Sequence, residues 1–464
     1  MMASGGGASG AAGAAGISGA ACPIETSAAA PTLSTDCETP ARAVDPIFTC
    51  GRADCAVTKA LDLACGTLPV KPWISATADG AVLMAKTVAG PGSAALVRLM
   101  TVAAMENRVE DPSLSDPKTL SFVTLGSQMT TSASGATWLV DRSAPSLTVV
   151  HETDAGWVRA RSDSPYDGEL GSVSLVGDEL RYLTYATEDG HVPHLLTRAG
   201  SCLTDQVLGA PNTFSTVVKT DGAGQPWVTW LTNPAALYLR SPGGDVEDLS
   251  ALVGALDSSR SPRLRLLPGG LDGTAAFPIV ALNVANGIAV LSRNEAEPVW
   301  QSVVLPFATD TFAPVAGCPT EASYDCSDDP CAGMTTCAAQ RSGASSGFDL
   351  VRTQSGATFV AWVEFAAEGT YALQKALTSG ELPGCFCGWS ETSGTGTAEL
   401  VVARLGGSAP VLGRFRFDMR GAILSLDRDV VMAARGDTLV IAGQLSGDNV
   451  PALTYLEVDT ALLP

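Results

Sequence analysis

Glycines that each precede a short apolar run recur along the chain. In every copy the third residue after the glycine is large and apolar, and in most copies the fourth is apolar too. The copies begin at Gly80, Gly135, Gly177, Gly224, Gly356 and Gly436. Successive side chains of a strand point to opposite faces, so two adjacent apolar positions predict a strand that is covered on both sides. Glycine suits the tight turn before such a strand, because it adopts a positive φ at little cost.

A second strand-like run follows several of these copies, for example at 236–240 and 452–456. Because no helical pattern separates the runs, they predict antiparallel hairpins or meanders and an all-β chain. We expect a degenerate seventh copy near Gly273, leading into the apolar run 277–282.

The spacing of the copies distinguishes between types of repeat. From Gly80 to the copy near Gly273, successive glycines lie 55, 42, 47 and 49 residues apart. A propeller blade takes about 40–50 residues, whereas a leucine-rich repeat takes about 20–29. The later gaps of 83 and 80 residues leave room for a blade with an insertion or for one further blade. We therefore expect a β-propeller of six to eight blades, with seven as the best fit.

One copy matches a known kind of repeat closely. Residues 221–226 read Asp-Gly-Ala-Gly-Gln-Pro and lead into the strand Trp-Val-Thr-Trp at 227–230. This pattern resembles bacterial β-propeller repeats, in which a D-x-x-G-x-P turn precedes such a strand, and residues 355–362 are the second match. The resemblance covers residues 70–464 and implies an architecture, because propellers carry unrelated functions.

Composition divides the 464 residues into three parts. Residues 1–21 are nearly all Met, Ala, Ser and Gly, which predicts a flexible tether. Residues 22–69 are a Cys-rich N-terminal segment, and residues 70–464 are the expected propeller, with a Cys-rich insertion at 318–337. Because no run of 18 apolar residues occurs, we expect no transmembrane segment.

The chain is strongly acidic. Its formal net charge is −20, it has six lysines, and no basic run occurs. Nucleic acids and anionic lipid surfaces are bound through clustered Lys and Arg, so we expect neither as a partner. We interpret the acidity as a solvated surface, with cation binding as the alternative.

Cysteines are grouped in loop-like stretches. The disulfide candidates are Cys22, Cys37, Cys50, Cys55, Cys65, Cys202, Cys318, Cys326, Cys331, Cys337, Cys385 and Cys387. Because disulfides persist in oxidising compartments, we expect an extracytoplasmic protein, secreted or tethered to the cell envelope. Zinc is the weaker alternative, since intervals of seven, four and five residues between Cys318 and Cys337 do not match paired zinc ligands. The connectivity stays open, and a lipid tether upstream or at Cys22 is an alternative role for that residue.

One hydrolase-like motif occurs, a Gly-x-Ser-x-Gly match at 343–347. A nucleophile elbow needs a strand before the serine and a helix after it. The sequence around the motif instead predicts a Ser/Gly-rich loop, so we expect no catalytic residue there.

Two kinds of metal site are conceivable from the sequence. Glu188, Asp189, His191 and His194 surround one turn, although an ordinary hairpin turn explains them better. The acidic loops 162–168 and 325–329 offer oxygen ligands for Ca²⁺ but lack the alternating spacing of a calcium loop. We expect no metal and no cofactor, with Ca²⁺ as the remaining alternative.

The functional expectation follows from the absence of a chemical signature. Trp138, Trp227, Trp230 and Trp362 fall in repeat strands, which predicts packing between blades. We expect an exported, non-catalytic binding or scaffolding propeller that presents loops to a protein or glycan ligand. The alternatives are a polysaccharide hydrolase or lyase with carboxylates at the channel mouth, and a structural envelope protein. The insertion 318–337 is expected either to carry recognition or to staple a loop.

Overall fold

The structure is a computed structural model that describes most of the C-terminal two thirds of the chain. It describes residues 18–21, 24–27, 42–43, 47–48, 57–62, 71–77, 82–89, 95–101 and 118–122. From 128 to 463 it describes all residues except 133, 144–145, 154–155, 163–167, 201, 210, 234, 257–262, 270–276, 294–298, 310, 315–321, 325–336, 378–384, 407–409, 421–429 and 449–451. This part is all-β apart from turns and two 3₁₀ helices, Ser250–Leu252 and Thr460–Leu462. No helix within it is long and apolar enough to cross a membrane.

Five short strands come first in the chain. They are β1 (Ser18–Ala21), β2 (Ile24–Ser27), β3 (Arg42–Ala43), β4 (Ile47–Phe48) and β5 (Val57–Asp62).

Seven sets of four antiparallel strands follow in the described part of the chain, and we call them sheets 1 to 7 in chain order. Sheets 2 and 3 each pair with one further N-terminal strand, and sheets 6 and 7 are joined in one twelve-stranded sheet. Sheet 1 is β6 (Lys71–Ala76), β7 (Val82–Ala89), β8 (Ala95–Thr101) and β9 (Lys118–Phe122). Sheet 2 is β10 (Gln128–Thr131), β11 (Thr137–Ser143), β12 (Ser146–Thr153) and β13 (Gly156–Ser162). Sheet 3 is β14 (Gly168–Val176), β15 (Glu179–Thr187), β16 (Pro193–Ala199) and β17 (Cys202–Val207). Sheet 4 is β18 (Thr213–Thr220), β19 (Pro226–Thr232), β20 (Ala236–Arg240) and β21 (Val246–Asp248).

The last three sheets contain the remaining strands. Sheet 5 is β22 (Leu264–Leu267), β23 (Ile279–Val284), β24 (Gly287–Ser292) and β25 (Gln301–Pro306). The short strands β26 (Thr311–Pro314) and β27 (Ala322–Tyr324) pair onto sheet 6, which is β28 (Cys337–Arg352), β29 (Thr358–Leu377), β30 (Cys385–Leu405) and β31 (Val411–Arg420). Sheet 7 is β32 (Val430–Arg435), β33 (Thr438–Asp448), β34 (Ala452–Asp459) and β5. A short parallel pairing of β31 with β33 joins it to sheet 6.

The glycine repeat marks the second strand of each sheet, as the sequence pattern predicts. β7, β11, β15, β19, β29 and β33 follow the six glycines, and β23 follows the degenerate copy. The repeat glycines among the described residues all have positive φ: Gly135, Gly177, Gly224, Gly356 and Gly436. Gly80 and Gly273 lie outside the described residues.

Buried apolar side chains form separate clusters between consecutive sheets, from sheets 2 and 3 through to sheets 6 and 7. On β29, Val360 and Trp362 pack toward sheet 5, whereas Phe359 and Ala361 pack toward sheet 7. Adjacent apolar residues therefore serve two neighbouring sheets, and this confirms the expectation that the second strands are covered on both faces.

The first strands of the seven sheets, which we call the inner strands, contact one another in sequence. β6, β10, β14, β18, β22, β28 and β32 each contact the next, and β32 contacts β6. Polar side chains bridge some of these contacts. On β14, Ser172 and Ser174 accept the backbone N–H groups of Val218 and Thr220 of β18, at 2.6 and 3.1 Å. The unpaired edge of one inner strand is thus satisfied by side chains of the preceding one.

The N-terminal strands pair with strands of distant sheets. β1 pairs with β17, β2 with β13 and β4 with β31, and β5 completes sheet 7 against β34, with β3 beside it. Residues 18–21, at the end of the predicted tether, are therefore a strand, and residues 57–62 of the predicted Cys-rich segment belong to a propeller-like sheet. Because a strand edge exposes unpaired N–H and C=O groups, the N-terminal residues find partners there.

Turns that precede second strands are bonded to the equivalent turn of the next sheet. Ser134 donates its hydroxyl to Asp178, and the backbone N–H of Ser355 donates to Asp437 at 3.0 Å. Both acceptors directly follow the glycine of the next repeat copy. Hydrogen bonds from Ser132 and Ser134 lower the pKa of Asp178, and those from Ser355 lower the pKa of Asp437.

Candidate functional site

Sheet 6 is much longer than its neighbours. β28, β29 and β30 have 16, 20 and 21 residues, whereas the strands of sheet 5 have four or six. Of the β29 positions whose burial is described, Ala367 is the last buried one, and pairing continues to Leu377. We call the paired residues 337–342, 366–377 and 385–397 the extension. The predicted insertion 318–337 leads into it, although 318–321 and 325–336 lie outside the described residues.

A shallow cavity of about 420 Å³ lies on the extension where it leaves the packed part of sheet 6. Half of its lining residues are glycine or alanine, and the others carry hydrogen-bonding side chains. These are Gln340, Glu368, Thr370 and Thr395. Gln340 Nε2 donates to Glu368 Oε1 at 2.7 Å, which holds the two side chains together. The small residues leave space that the polar side chains border, as in a site for a polar ligand.

The inner strands carry more basic than acidic residues, opposite to the chain as a whole. Outside the extension they contain five basic residues and two acidic ones. The basic residues are Lys71, Lys219, Arg265, Arg352 and Arg435, and the acidic ones are Glu169 and Asp349. The whole chain has 28 Lys and Arg against 48 Asp and Glu. Positive charge is therefore concentrated on the strands that contact one another in sequence.

Asp349 on β28 links three sheets. Its carboxylate accepts the Nε–H of Arg265 from sheet 5 at 3.1 Å and the backbone N–H of Met432 from sheet 7 at 2.8 Å. It also accepts the N–H of Leu350 at 2.9 Å. Lys219 of sheet 4 interacts electrostatically with both Asp349 and Arg265. Charged groups of sheets 4, 5 and 6 therefore face a common space.

Lys219 combines two properties that are usually separate. Its side chain is exposed by surface area, yet burial lowers the pKa of its amine; attraction to Asp349 opposes this and repulsion from Arg265 adds to it. A side chain that reaches solvent from a space lined by protein has both properties. Within the described residues this amine forms no hydrogen bond or ion pair.

Another charged cluster lies within sheet 6 and is structural. Buried Glu364 accepts the indole N–H of Trp362 at 3.1 Å, the backbone N–H of Ala308 at 3.2 Å and Arg414 at 2.6 Å. Arg414 also donates to Glu399 at 3.1 Å. Burial opposes the charge of Arg414, but Glu364 and then Glu399 outweigh it and raise its pKa. One guanidinium group thus pairs with two carboxylates, and all three groups are hydrogen-bonded within the sheet.

In the described part of the chain, three carboxyl groups have shifted pKa values, and all three are shifted downward. Asp178, Asp248 and Asp437 accept hydrogen bonds from nearby serines. A general acid at neutral pH needs a raised pKa instead. These carboxyls therefore do not favour the alternative of a polysaccharide hydrolase.

The histidines of the predicted turn are placed differently from one another. His194 lies on β16 and its Nδ1 is 2.9 Å from Asp205, which also accepts the hydroxyl of Tyr185 at 2.9 Å. The ring of Tyr185 stacks on His194. His191 is exposed in the turn before β16. Among the described residues, no group of three His, Cys, Asp or Glu is arranged for a metal ion. Of the acidic loops, residues 163–167 and 325–329 lie outside the described part.

The Gly-x-Ser-x-Gly match lies inside β28, so the prediction of a loop there is wrong. The register against β29 shifts between Ala344 and Phe348, which makes a β-bulge, and Ser345 within it is fully buried. Its Oγ accepts the N–H of Gly347 at 3.2 Å. Ala344 and Phe348 pack between sheets 5 and 6, and this burial outweighs the turn propensity of the serines and glycines. A serine hydroxyl buried in a strand does not meet a substrate.

The tryptophans of the repeat strands pack between sheets, as expected. Trp138, Trp230 and Trp362 are buried in the clusters of sheets 2–3, 3–4 and 5–6, and Trp227 packs against the cluster of sheets 4–5.

The structure describes few of the disulfide candidates. Cys202, the first residue of β17, is disulfide-bonded. Cys337 begins β28, and Cys385 and Cys387 lie on β30. The other candidates lie outside the described residues: Cys22, Cys37, Cys50, Cys55, Cys65, Cys318, Cys326 and Cys331. Their pairing stays a prediction.

Comparison with known proteins gives no family. No protein-family model matches the chain, and no curated protein matches it. Among solved structures it is similar to the NanB sialidase from Streptococcus pneumoniae, in complex with 2-[(3-chlorobenzyl)ammonio]ethanesulfonate. The sequence identity is 9% and the TM-score 0.22, over 86% of this chain and 69% of that chain. A likeness this weak carries no argument about activity.

Proposed function

We propose that this protein is an extracytoplasmic, non-catalytic binding protein built as a closed seven-bladed β-propeller, and that the extension of sheet 6 binds a glycan ligand. The observation that carries the proposal is the cavity on the extension. It lies outside the packed sheets, and its lining offers amide, carboxylate and hydroxyl groups to a polar ligand.

The contacts of the inner strands support closure of the ring. Seven consecutive contacts that return from β32 to β6 are what a propeller requires and an open array of sheets does not provide. Sheet 7 supports closure further, because its fourth strand, β5, comes from the N-terminal part of the chain. Each sheet is then one blade.

The location outside the cytoplasm rests on the cysteines. Twelve cysteines in one chain, with Cys202 in a disulfide, suit an oxidising compartment.

A glycan fits the cavity better than a protein hot spot does. Hot spots of protein interfaces are enriched in Trp, Tyr and Arg, and none of these lines the cavity. Hydroxyl-rich ligands instead pair with amide and carboxylate side chains such as Gln340 and Glu368, which border it.

A cavity-filling variant tests the proposal. Ala338 is exposed and lines the cavity, so Ala338→Trp occupies the space without disturbing the packed sheets. Val303→Trp places the same side chain on an exposed strand position of sheet 5 and is the matched control. Both proteins are screened against arrays of glycans and of surface proteins.

We expect wild type and Val303→Trp to retain the same glycan and Ala338→Trp to lose it at unchanged melting temperature. Retention of the glycan by Ala338→Trp contradicts the placement of the site. Binding of proteins but of no glycan contradicts the ligand class, and turnover of a bound polysaccharide contradicts the non-catalytic role.

A further inference from the structure

We propose that the space between the inner strands contains a binding site for a small anion, a carboxylate or a phosphate, held by Lys219 and Arg265. The site is distinct from the extension, and its test does not depend on a glycan ligand. Three observations carry it. The cluster has an excess positive charge, the amine of Lys219 has no partner among the described residues, and the carboxylate of Asp349 already accepts three hydrogen bonds.

Among the described residues, the cluster has one excess positive charge. Lys219 and Arg265 interact with one described carboxylate, Asp349. That carboxylate already accepts three hydrogen bonds, one of them from Arg265, and so it does not neutralise both cations. An excess cation that is partly surrounded by protein attracts a counter-ion more strongly than a cation on an open surface.

The amine of Lys219 is available to a ligand. It has three donors and, among the described residues, no hydrogen-bond or ion-pair partner, and its side chain reaches solvent. Arg265 uses its Nε for Asp349 and one Nη for the carbonyl oxygen of Leu264, which leaves further N–H groups. An ammonium group beside a guanidinium group suits a carboxylate or a phosphate.

Anion binding at this site should depend on pH, because burial lowers the pKa of the Lys219 amine. Within the described part of the chain, the charged groups that interact with this amine are Arg265 of sheet 5 and Asp349 of sheet 6. A bound anion favours the protonated amine, so binding must weaken as the pH rises through the lowered pKa. The loss comes at a lower pH than for an ordinary surface lysine.

Calorimetry at low ionic strength tests the proposal with inorganic phosphate, glucuronate and, as the uncharged counterpart, methyl glucoside. The variants are Lys219→Gln, which removes the charge, and Lys219→Arg, which keeps it. Lys118→Gln removes an equal charge on β9, the fourth strand of sheet 1, and is the matched control. Circular dichroism checks that each variant is folded.

We expect wild type to bind phosphate or glucuronate but not the glucoside, and the preferred anion identifies the ligand chemistry. Lys219→Gln should weaken this binding at least about tenfold, whereas Lys219→Arg and Lys118→Gln stay within about threefold of wild type. Equal binding by Lys219→Gln and Lys118→Gln overturns the proposal. The proposal is also overturned if wild type binds neither phosphate nor glucuronate at an anion concentration of about 10 mM.

Discussion

Asp349→Ala probes the contact between inner strands most directly. The substitution removes the acceptor of the Met432 backbone N–H, on the unpaired edge of β32, and the partner of Arg265. A buried N–H left without an acceptor costs about 2 kcal/mol, near the middle of the usual range. The side chain of Arg265 is 30% exposed, so loss of its ion pair costs only about 1 kcal/mol. We therefore expect the variant to be about 3 kcal/mol less stable.

Thermal unfolding followed by circular dichroism measures this loss. The unfolding entropy of 464 residues at about 2.1 cal/mol/K per residue is close to 1 kcal/mol/K, so the expected decrease in Tm is about 3 °C. Asp349→Asn keeps one oxygen for a backbone N–H, and its Tm should lie between those of wild type and Asp349→Ala.

Asp221→Ala is the matched control. Asp221 also accepts two backbone N–H groups, from Ala223 and Gln225 at 2.9 and 2.8 Å, but within one exposed turn. Its removal should cost about 1 kcal/mol or less. If Asp349→Ala melts no lower than Asp221→Ala, the carboxylate of Asp349 does not hold sheets 5, 6 and 7 together, and our account of the inner strands is wrong.

Three further outcomes are expected. The pKa of Asp437 is lower in the folded than in the unfolded protein. Its contribution to stability is therefore present above about pH 4 and disappears as the pH falls through the pKa of the folded protein. The melting temperatures of wild type and Asp437→Asn should converge in acid, and a constant difference between them refutes this. Peptide mapping without reduction should join Cys202 to Cys22, because their neighbours in the sequence, Leu203 and Ala21, are paired between β17 and β1; another partner for Cys202 contradicts it. Gly171→Ala should cost about 3 kcal/mol, because the new Cβ lies 1.9 Å from Thr216 Oγ1 and 2.6 Å from its backbone oxygen; a Tm within 1 °C of wild type excludes the clash.

The sequence predicted the repeated strands well because their signal is local. A turn glycine with positive φ and two adjacent apolar residues occur within five positions, as at Gly356, Phe359 and Val360. The pattern reports the burial of both faces, which only neighbouring sheets on both sides provide. For this reason the strand type and its environment follow from a short window of sequence.

Contacts between distant residues had no such signal. Ser345 occurs in a stretch of serine and glycine that is typical of a loop, yet it is buried in a strand because Phe348 packs against sheet 5. The pairing of β5 with β34 joins residues that are nearly 400 positions apart, and six residues of ordinary β character do not identify their partner. Likewise, Lys219 and Asp349 are unremarkable as single residues and become a cluster only through the order of the sheets.

The candidate sites differ in how the fold supports them. Each inner strand contacts another on both sides, so the charges of Lys219, Arg265 and Asp349 are held at positions that four sheets determine jointly. The extension is paired within sheet 6, and its residues 368–370 and 394–397 lie outside the buried clusters. A ligand at the inner strands must therefore fit a preformed space and gains affinity from that rigidity. A ligand on the extension meets a surface that tolerates substitution, because changes there do not disturb the packing between sheets, and recognition can change while the seven sheets stay the same.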